Sequence, residues 1–518
     1  MTLSRAIAVV GGYTMLSRVA GFARDILIAA FLGAGMVADA FFVAFKLPNF
    51  FRRLFAEGAF NAAFVPMFSR LLEREGREVA RDFAAEIMSV LVAVLLVFCG
   101  LMQVFMPLMM FVLAPGFADD PAKFELTVEL TRLTFPYLLF ISLVSLQGGI
   151  LNSLNRFAEV AFTPVLLNLV MIAAMLLFAR KLETAGHALA WGVSIAGIVQ
   201  FVWLALALRR EGFSLNLAWP RLTPRVREFW RLMLPGTIGA GAVQINLMID
   251  IVIASILPQG AISFLYYADR INQLPIGVIG IAVGTALLPM MSRQLSGGDA
   301  PAAMNSQNRA LEAACLFALP AMAAFLVIAE TIVTGLYQRG AFDAAATEAT
   351  SLALIAYALG IPAYVLIKVL TPGFFARHDT RTPVRIAIST LLLHLALNLT
   401  LIWPLQHVGL ALATAIAAWV NAIALGVVLH RRGHLVPDDR LKRRLPRILL
   451  SVAAMVLILF LADSFARPAV ESVLGRAAAL GLLVLLGGGA YAMAVLATGA
   501  ARLGDLRSFM PGRRRRAP

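Results

Sequence analysis

Cysteine, histidine and charged residues are all scarce in this 518-residue sequence. Its two cysteines, Cys99 and Cys315, lie inside apolar runs, which excludes a disulfide framework and a metal site built from cysteines. Its six histidines are scattered without a spacing typical of metal ligands. Charged residues make up 14% of the chain, against about 25% in soluble domains, and hydrophobic residues make up 60%. These proportions exclude a soluble protein and indicate a membrane protein.

Apolar runs occupy most of the chain, and a run of about 20 residues suits a helix that spans a bilayer. We therefore predict an all-α polytopic membrane protein with 14 transmembrane helices. The first run meets Arg18 with no small-residue cleavage site before a polar segment, so we expect it to be retained as a helix. The runs lie near residues 7–32, 36–68, 86–113, 126–152, 160–178, 186–208, 231–256, 261–292, 309–337, 346–371, 385–404, 408–430, 446–463 and 474–499.

Arginine and lysine concentrate after the even-numbered runs, whereas the connections after odd-numbered runs are neutral or mildly acidic. The exception is Arg180-Lys181, after the fifth run. By the positive-inside rule, this distribution places both termini in the cytoplasm. The net charge of +15 and the C-terminal GRRRRAP are then explained by orientation in the membrane. We expect no nucleic-acid partner.

Motifs in the first half of the chain recur in the same order in the second half. KLPNFF (46–51) resembles QLPIGV (273–278), FVPMFSRLL (64–72) resembles LLPMMSRQL (287–295), and FPY (135–137) matches IPAY (361–364). This repeat predicts two pseudo-symmetric six-helix lobes followed by two extra helices, an organisation typical of transporters whose substrate site lies between the repeats. The expected divisions are 1–210, 225–432, 445–500 and a basic tail at 501–518. Prolines fall inside long helices at matched places, where they can bend the helix: Pro48, Pro66, Pro275 and Pro289.

Residues 17–57 carry five positive and three negative side chains in and between apolar runs: Arg18, Arg24, Asp25, Asp39, Lys46, Arg52, Arg53 and Glu57. A charged side chain at mid-membrane costs about 2.5–3.5 kcal/mol, so these groups must face a wet cavity or pair with one another. The second lobe adds polar groups at Gln244, Asn246, Asp250, Asp269, Arg270, Asn272 and Gln273. A positive cavity favours an anion, and the guanidinium fork suits phosphate. The alternative is an ion-pair lattice that only holds two lobes together.

Four segments closely resemble the lipid II flippases of bacteria, the MurJ (MviN) family of the multidrug/oligosaccharidyl-lipid/polysaccharide exporter superfamily. They are SRVAGFARD (17–25), ADAFFVAFKLPNFFRRLFAEGAFNAAFVP (38–66), ADRINQLPIGVIGIAVGTALLP (268–289) and DTRTPV (379–384). The resemblance covers essentially the whole chain. It implies a transporter, not an enzyme, that moves undecaprenyl-diphosphate-linked peptidoglycan precursor from the cytoplasmic to the periplasmic leaflet of the inner membrane, for cell-wall synthesis.

The resemblance also implies a set of substrate-binding residues: Arg18, Arg24, Asp25, Asp39, Arg52, Glu57 and Arg270. Among these, Arg24, Asp25 and Arg270 would bind the diphosphate. The helices predicted from the last two runs, 446–463 and 474–499, would hold the lipid tail. The expected partners are lipid II and membrane lipids. We expect a monomer, and association with cell-wall synthesis proteins stays open.

Some relatives bind sodium between the helices that correspond to the runs at 231–256, 385–404 and 408–430, and this chain matches that pattern incompletely. Asp250, Asn398 and Thr414 are the candidate ligands. The remaining candidate position holds His394 where a second carboxylate is expected, and sodium prefers oxygen ligands. We expect no other cofactor, and sodium coupling stays in question.

Three other functions remain open on the residues alone. A multidrug cation antiporter shares the architecture but needs acidic and aromatic groups, whereas this cavity is rich in arginine. A flippase for O-antigen or another polyprenyl-diphosphate glycan needs the same phosphate chemistry. A glycosyltransferase or lipid II polymerase needs paired carboxylates for a metal or a general base. The Asp-Asp pairs at 119–120 and 438–439 stand in charged loops without catalytic companions.

Overall fold

The computed structural model describes residues 3–55, 59–466 and 473–502. Within these ranges it consists of helices, and no described residue belongs to a strand, which confirms the predicted all-α class. A 3-10 helix occupies Pro115–Asp119. The α-helices are α1 Leu3–Leu32, α2 Met36–Phe55, α3 Ala59–Arg74, α4 Arg77–Leu113, α5 Pro121–Thr134, α6 Tyr137–Ser153, α7 Phe157–Phe178, α8 Ala185–Arg210, α9 Pro224–Ser255, α10 Ala261–Ser296, α11 Ala300–Val327, α12 Ala329–Tyr337, α13 Ala344–Ala358, α14 Ile361–Phe375, α15 Arg381–Arg431, α16 Asp439–Ala466 and α17 Val473–Ala497.

Nine stretches of the described helices are long and apolar enough to cross a membrane. One of them, α15, contains two of the predicted runs, 385–404 and 408–430. Non-helical backbone at Gln406 (φ 47°, ψ −129°) separates the two runs. The four predicted runs outside these nine stretches, near 7–32, 36–68, 231–256 and 261–292, are nevertheless helical wherever they are described. These are the first two runs of each half, which carry the polar side chains. The chain is a multi-pass membrane protein, and the count of fourteen stays a prediction.

Helix breaks occur at matched places in the two halves. Helices α5 and α6 are separated at residues 135–136, and α13 and α14 at residues 359–360. A proline of the paired motifs lies in the first break (Pro136) and in the first turn after the second break (Pro362), and proline lacks the N–H that a continuous helix needs. The prolines predicted inside helices do lie inside them: Pro48, Pro66, Pro275 and Pro289.

The first of two compact units comprises Met1–Ser263 and Gly340–Phe342. In it α1 packs on α7, α7 on α8, and α2 on α5. A ladder of phenylalanine rings joins α3 to α4 and α9, with Phe64 in contact with Phe60, Phe68, Phe83 and Phe229. The unit includes α9, which the repeat assigns to the second lobe. Compactness and sequence repetition are different properties, so the lobe boundaries stay a prediction.

Residues 340–342 belong to the first unit because their backbone contacts the end of α1. The Ala341 N–H donates to the Ala30 carbonyl at 2.9 Å. Gly340 has φ +59°, and a Cβ there would lie 2.2 Å from the same carbonyl oxygen. Only glycine combines that conformation with that approach.

The second compact unit comprises Phe264–Arg339 and Asp343–Pro518. Its helix α11 packs on α14 and α16, and α12 packs on α13 and α17. At one end of the α11–α16 contact, the buried carboxylate of Glu312 accepts hydrogen bonds from Arg309, Arg440 and Arg444, the Arg440 Nε bond measuring 3.1 Å. Large side chains on α16 and α17 remain uncovered, among them Phe465 (83% exposed) and Leu485 (74%), as expected for helices that face lipid.

Candidate functional site

A buried ion pair on α1 is the first element of the candidate site. The Arg24 guanidinium donates to a single oxygen of Asp25, Oδ1, from Nε at 3.1 Å and from Nη2 at 2.7 Å. Arg24 is 6% exposed and Asp25 3%. Since α1 packs on α7, these side chains lie inside the helical unit instead of facing lipid. The pairing offsets part of the cost of burying each charge.

Asn168 on α7 fixes the other side of the Arg24 guanidinium. Its Oδ1 accepts from Arg24 Nη1 at 2.9 Å, and its Nδ2 donates to the Ser17 carbonyl at 3.0 Å. One amide therefore binds α1 at two places about two turns apart, one on either side of Gly21. A Cβ at Gly21 would lie 3.4 Å from the Asn168 amide nitrogen, so the small residue leaves room for this contact.

The other cations predicted on the first two helices are more accessible than Arg24. Arg18 is exposed on α1. Arg52 on α2 is half-buried, and its Nε donates to Asn49 Oδ1 at 3.1 Å. Lys46 and Arg53 are exposed on the same helix. Glu57 lies outside the described residues, so its predicted role and the continuity of α2 with α3 stay predictions.

Asp39 on α2 lies in a closed cluster of donors. It is 1% exposed and accepts from Lys123 Nζ at 2.9 Å, from Gly260 N at 2.7 Å, and from Ser263 N and Oγ at 3.0 and 2.6 Å. Gly260 and Ser263 bracket the start of α10, so the carboxylate caps that helix from a distant part of the chain. This geometry is that of a structural ion pair. The role of Asp39 in substrate binding stays a prediction that the geometry does not favour.

Arg270, the second predicted phosphate ligand, lies on α10 in the second unit. It is half-buried, and its Nη2 donates to the Tyr266 hydroxyl at 3.1 Å. Its guanidinium carbon lies 4.8 Å from the centre of the Tyr266 ring. Asp269 accepts from Gln273, one turn along the same helix. Tyr266 thus orients Arg270 by a hydrogen bond and a cation–π contact.

The residues predicted for sodium are divided between the two units. Asp250 is half-buried on α9 in the first unit. In the second unit, His394 Nε2 lies 3.1 Å from Thr414 Oγ1, which also donates to the Leu410 carbonyl at 2.8 Å. Asn398 is 1% exposed on α15. Because the His394 imidazole contacts the Thr414 hydroxyl and supplies a nitrogen instead of an oxygen ligand, the described donors of this unit do not fit a hard cation. We therefore derive no transport step through sodium.

The Asp-Asp pairs that an enzyme would use have structural partners. Asp120 caps α5 by accepting from Lys123 N at 3.2 Å. Asp438 accepts from Arg309 and, at 2.7 Å, from Leu441 N at the start of α16. Asp120 and Asp438 therefore cap the N-termini of helices, a structural role that was not predicted from the sequence.

Sequence reasoning missed Asn168, Lys123 and His187. Asn168 is an amide in an otherwise apolar run, and that polar exception was the available signal. Lys123 lies in the connection after the third run, whose net charge was used only to predict the orientation in the membrane. His187 follows Glu183 by four residues, a spacing that brings two side chains together on a helix.

Long apolar helices that bury an arginine, a carboxylate and an amide among themselves are typical of membrane transporters. A sequence model of the family "Lipid II flippase MurJ" matches residues 28–475. The "Probable lipid II flippase MurJ" of Rhizobium tropici is 43% identical over 525 residues, covering 100% of this chain and 98% of the relative. The solved structure "Lipid II flippase MurJ, inward closed conformation" matches with TM-score 0.78 and 26% identity over 94% of this chain and 98% of that one.

The chain belongs to the lipid II flippase MurJ family. An inward-facing multidrug resistance MATE transporter of the MOP superfamily also matches, with TM-score 0.63 and 17% identity over 85% of this chain and 99% of that one. At that identity the likeness establishes a shared fold alone. The family assignment confirms the resemblance drawn from residues 17–25, 38–66, 268–289 and 379–384.

Proposed function

We propose that this protein moves lipid II, the undecaprenyl-diphosphate-linked peptidoglycan precursor, from the cytoplasmic to the periplasmic leaflet of the bacterial inner membrane. It works by alternating access, with both termini in the cytoplasm. The observation that carries the proposal is the buried Arg24, oriented by Asp25 and Asn168, in a chain of the lipid II flippase family. A guanidinium held in this way binds a diphosphate through two parallel hydrogen bonds.

Asp25 and the diphosphate use the same edge of Arg24. In the empty carrier, Asp25 Oδ1 accepts from both Nε and Nη2, so the buried arginine has a counter-charge. The diphosphate replaces that oxygen when it arrives, and Asn168 keeps the guanidinium in place through Nη1 during the exchange. When the diphosphate leaves, Asp25 returns. Arg18, Arg52 and Arg270 add positive charge that attracts the substrate.

The lipid tail stays in the bilayer along α16 and α17, whose outer faces are apolar. Membrane potential resets the empty carrier. A diphosphate bound to several arginines is largely neutralised, whereas the empty cavity keeps net positive charge. The negative cell interior pulls that charge inward with about 2.3 kcal/mol per elementary charge per 100 mV.

The test is a flipping assay with fluorescent lipid II in proteoliposomes, in which an impermeant reagent reports the leaflet. Arg24→Ala leaves the buried Asp25 without its counter-charge and should lower the unfolding midpoint, and assayed below that midpoint it should abolish flipping. Arg24→Lys should restore only part of the activity, because lysine lacks the fork. Asn168→Leu should weaken lipid II binding without removing the arginine. The matched control is Arg209→Ala, an exposed arginine in the last turn of α8, which should flip normally.

Normal flipping by Arg24→Ala would show that the phosphate is bound elsewhere. The same liposomes distinguish the competing functions. Faster movement of a lipid-linked O-antigen intermediate would favour a different glycan as substrate, and polymerised lipid II would make the protein an enzyme.

A further inference from the structure

Three potential metal ligands meet at the start of α8, far in sequence from the arginine site. They are His187 on α8, Glu183 just before that helix, and Glu129 on α5, and we call them the His187 cluster. One ligand atom from each lies within 4.8 Å of the others. His187 Nε2 is 3.3 Å from Glu129 Oε1 and 4.0 Å from Glu183 Oε2. All three belong to the first unit.

The imidazole of His187 is held in place and directed at the two carboxylates. The residue is 6% exposed, and its Nδ1 lies 2.9 Å from Thr184 Oγ1. Its Nε2 is buried and has no hydrogen-bond partner among the described residues, since the 3.3 Å approach to Glu129 lacks hydrogen-bond geometry. The side chains of Glu129 and Glu183 are 55% and 80% exposed, so water and ions reach them.

A positive charge in the centre would stabilise this arrangement. In the tautomer whose Nδ1–H donates to Thr184 Oγ1, the Nε2 lone pair points at two carboxylates, and three electron-rich atoms repel one another. A metal ion bound to all three replaces that repulsion by coordination. The Thr184 contact then resembles the second-shell hydrogen bonds that set the tautomer of metal-binding histidines.

The distances fit zinc. With metal–ligand distances of about 2.0–2.2 Å, two ligands of a tetrahedral site lie about 3.4 Å apart, close to the observed separation of His187 and Glu129. The 4.0 Å between Glu183 Oε2 and His187 Nε2 would shorten by about 0.6 Å in such a site, through movement of the exposed Glu183 side chain. One imidazole and two carboxylates neutralise a divalent cation, and an imidazole ligand favours zinc over magnesium or calcium.

We propose that the His187 cluster is a Zn²⁺ site that ties α5 to the start of α8, with a water molecule as the fourth ligand. The proposal does not depend on which lipid the protein carries. Its failure would leave the flippase function untouched, and the reverse also holds.

The experiment uses the purified full-length protein in detergent, stripped with EDTA and titrated with ZnCl₂, while intrinsic fluorescence reports thermal unfolding. The unfolding midpoint should rise saturably, by about 5 °C at a hundredfold excess over Kd, with one zinc per chain by elemental analysis. MgCl₂ should give no rise. The double variant Glu129→Gln/Glu183→Gln should lose both the rise and the bound zinc, and its substituted side chains are exposed enough to leave folding intact.

The matched control is Glu125→Gln, an exposed carboxylate one turn before Glu129 on α5, which should keep the full response. Thr184→Val should weaken zinc binding about tenfold or more by freeing the imidazole. The proposal is overturned if zinc gives no saturable rise, or if the double variant responds as the wild type does. A midpoint that follows pH but ignores zinc would show that a proton holds the cluster together.

Discussion

The Asp39–Lys123 pair gives an asymmetric stability prediction. Asp39→Asn removes the carboxylate but leaves the Lys123 ammonium, whose side chain is 7% exposed, without its counter-charge. Removing one partner of a buried pair costs about 3–5 kcal/mol, because the remaining charge stays desolvated. Lys123→Met instead leaves Asp39 with Gly260 N, Ser263 N and Ser263 Oγ, and loses one charged hydrogen bond of about 1.5–3 kcal/mol.

The double variant should therefore be more stable than Asp39→Asn alone, with a coupling energy of about 1–3 kcal/mol. For a unit of this size, 1 kcal/mol shifts the midpoint by about 2 °C, so Asp39→Asn should melt about 6–10 °C lower than wild type. Tryptophan fluorescence in detergent measures this. Asp299→Asn is the matched control, since Asp299 caps α11 through Ala302 N at 2.9 Å and has no ion pair among the described residues. It should cost only about a few tenths of a kcal/mol, because asparagine caps a helix about as well as aspartate does.

The same protein samples decide whether Asp39 binds substrate. Below its midpoint, Asp39→Asn should bind fluorescent lipid II with wild-type affinity. If it instead melts with the wild type and fails to bind, the carboxylate contacts lipid II and the structural interpretation is wrong.

Three further outcomes are expected. Hydrogen bonds from Thr382, and then the Arg432 guanidinium, hold the pKa of the Asp379 carboxyl below its usual range. The ionised Asp379 carboxyl should contribute its full stability above its unfolded-state pKa of about 3.9, and this contribution should disappear as pH falls through its lower folded-state pKa. The difference in unfolding midpoint between wild type and Asp379→Asn should therefore shrink between pH 5 and pH 3. A constant difference would contradict this. Truncation before residue 445 should leave a folded protein that does not flip lipid II in proteoliposomes, and full activity would remove α16 and α17 from the mechanism. Collapsing the membrane potential at constant sodium should trap the carrier outward-facing, as measured by cysteine cross-linking, and trapping by sodium removal alone would instead restore Asp250 as a cation ligand.

The fold class, the helical runs and the family follow from the residues alone. Apolar runs and proline breaks are local properties: a chain segment that must satisfy its own hydrogen bonds in lipid forms a helix wherever it lies. The charged first helices of each half could therefore be predicted from the residues, whereas the breaks near Pro136 and Pro362 divide runs that were predicted as single helices. Because a mid-membrane charge is costly wherever the helix packs, the residues alone marked eight charged side chains of the first two runs, and the family resemblance singled out Arg24 and Asp25 among them.

Which of those charges have structural partners depends on how distant helices pack. Asp39 meets Lys123 across 84 residues, Arg24 meets Asn168 across 144, and His187 meets Glu129 from another helix. Helical spacing shows which side chains share one face, but not which face of a distant helix packs against it. That choice depends on side-chain packing among all the helices at once, and it is what separates an arginine held at the candidate phosphate site from an aspartate that caps a helix.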